Sequence, residues 1–169
     1  ASSKAADSGG VRYVFGTDTI ESVFLEDIVN AKNAYGDLGR GVLNGRIRTD
    51  IISTEQLLAL DPDIIILPTY AGFYSPSEIY ESEGFEKVQD LRAIKERRVY
   101  ALTATPCKSE RLEFPINLMI EAKAIYPDRF EDIDLEEWIR DYFMGLYGVD
   151  EEKANELMDS LLLHYLEII

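Results

Sequence analysis

The chain has 169 residues and a formal net charge of −15. This is the length of one ordinary domain, and it is enough to bury a full hydrophobic core. The single cysteine, Cys107, excludes an internal disulfide and any multi-cysteine metal site. The acidic balance argues against a nucleic-acid partner, because phosphate binding requires a basic surface. No apolar run reaches the roughly 18 residues that a membrane-spanning helix needs.

The first third of the chain predicts a linker, a strand, a helix and a loop. Residues 1–10 are small and polar, as in a linker, and show no signal-peptide pattern. A short strand follows at Val11–Phe15, and a helix then runs to about Asn33. The face of that helix repeats with helical period at Phe24, Leu25, Ile28 and Val29. The stretch Tyr35–Asp50 is polar and glycine-rich and is interpreted as a loop.

The most sharply specified stretch is Ser53–Leu67. Ser53 precedes an apolar run and is followed three residues later by Gln56, which is the pattern of a capping box. The sequence DPD at residues 61–63 ends the helix, because a residue before proline is driven out of the helical region. The run Ile64–Leu67 is typical of a buried strand in a parallel sheet. Glu55 lies in the first helical turn and points away from the leucines.

The second half predicts further short elements and two well-marked final helices. Helices are expected at Ser77–Glu83 and Phe85–Ile94, a strand at Arg98–Leu102, and a helix from Leu112 to about Ile125. Asp134 and Asp150 occupy N-cap positions of the last two helices, and Gly148 occupies a C′ position. The predicted buried faces of these two helices are Leu135, Trp138, Ile139, Tyr142, Phe143 and Leu146, and Ala154, Leu157, Leu161 and Tyr165.

Strands that alternate with helices predict an α/β fold, a three-layer α/β/α sandwich with a mostly parallel sheet and extra C-terminal helices. Ligands on such sheets bind beyond the C-terminal ends of the strands. The loops Gly16–Thr19, Pro68–Pro76 and Thr103–Glu110 are expected there.

Aromatic and basic residues in these loops are the candidate ligand contacts. Tyr70, Phe73 and Tyr74 either line a small-molecule site or cover the edge of the core. Arginines suit an anionic ligand through bidentate hydrogen bonds, or they form surface ion pairs. The three that stand out are Arg46, Arg48 and Arg111.

No catalytic arrangement is visible in the sequence. It lacks a Walker loop, a Gly-x-Gly-x-x-Gly loop and a nucleophile elbow. The one histidine, His164, is interpreted as structural or surface, and Asp61 and Asp63 as parts of a turn. Cys107 lies beside Lys108 without a catalytic base, and the shortage of histidine and cysteine argues against a zinc or copper protein. We therefore expect a binding protein without enzyme activity or cofactor. The alternative is a cytoplasmic α/β enzyme or small-molecule-binding domain. Such a domain would have a complete site within this chain.

Several segments together resemble a known family. They are VRYVFGTDTIESVFLEDIVNAKN at residues 11–33, STEQLLALDPDIII at 53–66, LRAIKERRVY at 91–100, YPDRF at 126–130 and YGVD at 147–150. In this order they are similar to the C-terminal lobe of the solute-binding proteins of ABC importers for iron-siderophores, haem and cobalamin. The resemblance covers nearly all of residues 11–165.

The resemblance implies an extracytoplasmic protein, periplasmic or a membrane-anchored lipoprotein, with two α/β lobes joined by one long helix. The ligand, a metal chelate or a corrinoid, would lie between the lobes, and its metal would enter only as part of the transported molecule. Residues 1–10 would be the end of the interlobe helix, residues 11–169 the C-terminal lobe, and the N-terminal lobe would be absent from this chain. The expected partner is a membrane permease, and the protein is expected to be a monomer.

The resemblance also assigns candidate residues. Glu55 matches the glutamate of the family segment S-x-E-Q-L, which is thought to engage arginines of the permease; the alternative role is stabilisation of the helix dipole. The ligand contacts of this lobe would come from the loops at the strand ends. The expected contacts are Tyr70, Phe73, Tyr74, Thr105, Arg111 and Arg48.

Overall fold

The computed structural model describes residues 12–15, 20–36, 49–67, 75–81, 83–103, 112–161 and 163. The chain forms two compact units. The first contains the described residues up to Ile65 and those from Ser77 to Val99. The second contains Ile66 to Pro76 where described, and the described residues from Tyr100 onward.

The first unit begins with a two-stranded antiparallel pair. Strand β1, Arg12–Phe15, pairs with β2, Thr49–Ile52, so that Val14 lies opposite Asp50. β1 matches the predicted strand, whereas β2 begins inside the stretch that was interpreted as a loop. The local sequence of that stretch is polar and glycine-rich, and the extended conformation of Thr49 and Asp50 depends on pairing with a strand more than thirty residues away. This antiparallel pair differs from the mostly parallel sheet that the sequence predicts.

The helix after β1 is shorter than predicted. Helix α1 is Ile20–Val23, and it continues as a π-helical turn at Phe24–Ile28. Asn30 then adopts a positive φ of 59°, which ends the helical path. The wider π-helical turn changes which residues face inward, so that Val29 is buried as predicted while Ile28 is 57% exposed.

The predicted capped helix is confirmed as α2, Thr54–Leu60, with Ser53 as N-cap. It ends at Asp61, which takes a left-handed conformation with φ of 37°. Strand β3, Ile65–Leu67, follows. Leu67 is fully buried, but Ile65 and Ile66 are only half-buried, so the expectation of a strand covered on both faces is met at its last residue alone.

The segments after residue 74 form short elements around apolar side chains. Helix α3 is Pro76–Glu81, a 3-10 helix spans Glu83–Val88, helix α4 is Arg92–Lys95, and strand β4 is Val99–Ala101. The single helix predicted over Phe85–Ile94 is thus two separate helical turns. The core of the first unit includes Ile52, Ile79, Phe85, Val88, Leu91, Ile94 and Val99.

Strands β3 and β4 are parallel neighbours, and the boundary between the two units falls within both strands. In the first unit the Ile65 N–H donates to the Arg98 carbonyl at 3.0 Å. In the second unit the Leu102 N–H donates to the Leu67 carbonyl at 3.1 Å. Since both strands run in the same direction between these bonds, their C-terminal ends lie side by side.

The second unit is otherwise helical. Helix α5 is Phe114–Ile125, followed by a 3-10 turn at Pro127–Arg129, then by α6, Leu135–Tyr147, and α7, Glu151–Ser160. These helices pack around a common apolar core of Ile116, Ile120, Ala124, Leu135, Ile139, Phe143, Ala154, Met158 and Leu163. Strands and helices together make an α/β fold, as the sequence predicts.

The caps of the final helices are confirmed, but their buried faces differ in part from the prediction. Asp134 accepts a hydrogen bond from the Glu137 N–H, Asp150 accepts one from the Lys153 N–H, and Gly148 is left-handed with φ of 63°. On α7 the fully buried residues are Ala154 and Met158, whereas Leu157 and Leu161 are half-buried. Tyr165 lies outside the described residues. Leu146, which the helical period predicts on the buried face of α6, is 39% exposed.

Candidate functional site

Two of the three loops that were expected to bind a ligand follow β3 and β4 in the chain. The chain leaves β3 at Leu67 and β4 at Ala101, and these ends are adjacent because the strands are parallel. Thr103 is fully buried, and its N–H donates to the Asn117 side-chain oxygen at 3.0 Å, which fastens the end of β4 to the first turns of α5. The third loop expected to bind a ligand, Gly16–Thr19, follows β1, and β1 belongs to an antiparallel pair rather than to a parallel one.

The side chains predicted to contact a ligand fall outside the described residues. These are Tyr70, Phe73, Tyr74, Thr105, Arg111 and Arg48, and Arg46 falls there as well. Their assignment stays a prediction.

Glu55 is held at the exposed start of α2 by a complete capping box. The Gln56 N–H donates to the Ser53 Oγ at 3.2 Å, and the Ser53 N–H donates to the Gln56 Oε1 at 2.8 Å. These two bonds satisfy backbone donors that a helix start otherwise leaves open, and they fix the first turn. The Glu55 side chain is exposed, as predicted.

The surroundings of Glu55 favour its ionised form. Its pKa is lowered, first because its carboxylate accepts from its own backbone N–H, and then because the Ser53 hydroxyl donates to it. Lys87, on the 3-10 helix that packs against α2, lowers the pKa further through its positive charge. Glu55 is therefore an anion at neutral pH, fully exposed and on a stiff support. No sequence pattern marks Lys87 as a neighbour of Glu55, because its proximity depends on how the two helices pack.

The Asp-x-Asp pair at residues 61 and 63 has a structural partner, Arg92. Its guanidinium lies 2.5 Å from the Asp63 Oδ1 and 3.5 Å from the Asp61 Oδ2, and it donates to the Asp61 carbonyl at 2.9 Å. The Arg92 backbone N–H donates to the Asp61 Oδ1 at 2.9 Å, so Asp61 also caps α4. The pair thus joins the end of α2 to the start of α4, in agreement with its interpretation as part of a turn.

The other polar candidates carry no site in the part of the chain that the structure describes. Asp134 is occupied as a cap, whereas His164, Cys107 and Lys108 lie outside the described residues. Within the described ranges no group of three or more histidine, cysteine, aspartate or glutamate side chains could hold a metal ion. Among the described helices, none is long and apolar enough to span a bilayer.

Solved structures of three binding proteins share this fold. CeuE of Helicobacter pylori with Ni(II) bound matches with a TM-score of 0.66 and 19% identity, over 86% of this chain and 44% of that chain. A periplasmic solute-binding protein of Veillonella parvula matches with a TM-score of 0.59 and 22% identity, over 84% of this chain and 41% of that one. The chain has the fold of part of a periplasmic solute-binding protein.

The third structure and the sequence relative are the same protein. MolA of Haemophilus influenzae, in its molybdate-bound structure, matches with a TM-score of 0.57 and 20% identity over 82% of this chain and 40% of that chain. In sequence, the molybdate-binding protein MolA is 29% identical over 108 residues, 62% of this chain and 29% of MolA. No protein-family model matches the chain. The chain thus spans less than half the length of each of these proteins.

Proposed function

We propose that this chain is part of the substrate-binding component of an ABC importer, located outside the cytoplasmic membrane. Such a component captures a solute and delivers it to a permease without chemical turnover. The observation that carries the proposal is the fold, which three solute-binding proteins match over more than four-fifths of this chain. The similarity to MolA in sequence is in line with it.

The proposed solute is a small molecule that contains a metal and binds beyond the paired ends of β3 and β4. The resemblance of the sequence favours an iron-siderophore, haem or a corrinoid. The related proteins are described with molybdate, with Ni(II) and with a nickel–histidine complex. All of these are metal-containing solutes, and they differ in charge and in size. The protein itself is proposed to work as a monomer and to need no resident cofactor.

Titration of the protein that contains this chain would test the solute class. The panel is molybdate, Ni(II) with histidine, a ferric siderophore, haem and cobalamin, each followed by calorimetry. Saturable binding of one of them, without any chemical change in the bound molecule, is the expected result. Failure of all five to bind, or turnover of any, would contradict the proposal.

We also propose that Glu55 contacts the permease. It is an exposed anion at the start of a capped helix, where a bidentate arginine of a partner can approach it from solvent. The match of this residue to the family segment S-x-E-Q-L supports the same role.

The docking role predicts that Glu55→Arg weakens transport while the solute affinity is unchanged. Reversal of the charge places two cations opposite each other and removes the acceptor. Glu78→Arg is the matched control, because Glu78 is another exposed glutamate in the first turn of a helix. Permease in proteoliposomes gives the transport rate, and equal rates for the two variants would rule out this role for Glu55.

A further inference from the structure

Lys87 is a second exposed charge on the surface that presents Glu55. It lies in the last turn of the 3-10 helix Glu83–Val88, and this helix packs against α2. Both side chains are exposed to solvent. The positive charge of Lys87 acts on the Glu55 carboxylate and lowers its pKa, so the two charges lie near each other. We call Glu55 and Lys87 the charge pair.

The backbone under each member of the charge pair is anchored. The capping box of Ser53 and Gln56 holds the first turn of α2. Lys87 lies between two buried side chains, Phe85 and Val88, which are 4% and 2% exposed. A partner therefore meets the two charges at positions that the fold sets, and only the ends of the two side chains have to be ordered on binding.

The surface around the charge pair is open to solvent. Gln56 and Ala59 on α2 are exposed, and so is Glu86 beside Lys87. Ala59 lies one turn beyond Glu55, so a short side chain follows Glu55 on that face of the helix. No described residue forms an ion pair or a hydrogen bond with the Lys87 Nζ. The ammonium group thus acts on Glu55 only through its charge, and it is available to a partner.

A lone arginine is a poor match for this surface. An arginine that docks on Glu55 also approaches Lys87, and two positive charges repel each other. A carboxylate beside that arginine removes the repulsion and accepts hydrogen bonds from the lysine.

We propose that the permease presents an arginine and a carboxylate side by side, with the arginine on Glu55 and the carboxylate on Lys87. This inference rests on the docking role proposed for Glu55, and it names the chemistry of the partner surface.

Two opposite charges select partners more strictly than a single acid does. The net charge of −15 attracts any basic protein, whereas Lys87 disfavours a partner that carries positive charge alone. The charge pair also sets the direction of docking. A partner that approaches in the reverse direction places its arginine against Lys87 and its carboxylate against Glu55, and both contacts are then repulsive.

Replacement of Lys87 distinguishes a contact from simple screening, because the two roles predict effects of opposite sign. If Lys87 only screens Glu55, Lys87→Glu leaves a more negative surface and tightens the docking of an arginine. If Lys87 contacts a carboxylate, the same change places two anions opposite each other and weakens docking. We expect the affinity for the permease to fall about three- to tenfold in Lys87→Glu and about twofold in Lys87→Gln.

Biolayer interferometry with the permease in nanodiscs measures these affinities for the protein that contains this chain. Lys153→Glu is the matched control and should leave docking unchanged, because Lys153 is another exposed lysine beside a glutamate and belongs to the second unit. An unchanged or tighter affinity in Lys87→Glu would overturn the inference, and so would an equal loss in Lys153→Glu.

Glu55→Arg, measured in the same assay, separates this inference from the docking role on which it rests. If Glu55→Arg weakens docking and Lys87→Glu does not, the docking role stands and the carboxylate on the permease is wrong. If Glu55→Arg leaves docking unchanged, the docking role itself fails, and the inference fails with it.

Discussion

The two aspartates that bracket Pro62 are predicted to differ strongly in their effect on stability, although both contact Arg92. Asp63 makes one ion pair to the guanidinium, and its side chain is 68% exposed. Asp61 makes a longer ion pair, accepts from the Arg92 backbone N–H at 2.9 Å, and occupies a left-handed conformation. Replacement of each by alanine therefore removes different interactions.

For Asp63→Ala we expect a loss of about 0.2–1 kcal/mol in the free energy of unfolding, the usual value for an exposed ion pair. Asp61→Ala loses a similar ion pair, a helix cap worth about 0.5–2 kcal/mol, and about 1 kcal/mol because alanine tolerates the left-handed conformation poorly. The sum is about 2–4 kcal/mol. Asp61→Asn keeps the acceptor oxygen and tolerates the conformation, so it should cost about 1 kcal/mol or less.

Urea unfolding followed by circular dichroism measures these differences. With a slope of about 1–3 kcal/mol per molar urea, Asp61→Ala should lower the midpoint by about 1 M or more. The small effect of Asp63→Ala should shrink further in high salt, because exposed charges are screened. If Asp63→Ala is as destabilising as Asp61→Ala, or if Asp61→Asn is as destabilising as Asp61→Ala, the roles assigned to the cap and to the left-handed backbone are wrong.

Two further predictions concern helix ends. Ser53→Ala should raise the pKa of Glu55 more than Lys87→Ala does, because the hydroxyl contributes more to the lowered pKa than the lysine charge; carboxyl NMR titration measures both. A carboxylate whose pKa is lowered in the fold stabilises it above its ordinary pKa, so this contribution should disappear as the pH falls through the folded pKa. Gly148→Ala should cost about 1 kcal/mol because its φ is 63°, whereas Gly145→Ala, with nothing within 4 Å of the added Cβ, should be neutral or stabilising in thermal unfolding.

The residues that could be predicted from the sequence are those whose partners lie within one helical turn. Ser53 and Gln56 cap each other, and Asp134 and Asp150 each bond an N–H three residues ahead. A left-handed Gly148 follows from the absence of a Cβ atom. Glu55 could be placed on the surface for the same reason, because its direction follows from the helix that the cap begins.

The residues that could not be predicted have distant partners. The first half of β2, Thr49 and Asp50, belongs to a polar, glycine-rich stretch that was interpreted as a loop, and its extended conformation depends on pairing with β1. Arg92 meets Asp61 and Asp63 thirty-one and twenty-nine positions earlier in the chain, and no local pattern marks that contact. The exposure of Leu112 and Leu146 likewise depends on what packs beside them rather than on helical period alone.

The α/β class follows from the alternation of strand and helix patterns along the chain. The helix starts at Ser53, Asp134 and Asp150 and the exposed position of Glu55 follow from hydrogen bonds between residues three apart. The antiparallel pairing of β1 with β2 and the effect of the Lys87 charge on Glu55 depend instead on tertiary packing. Each of these depends on the path of the chain between distant segments, because burial and charge act through space and not along the sequence.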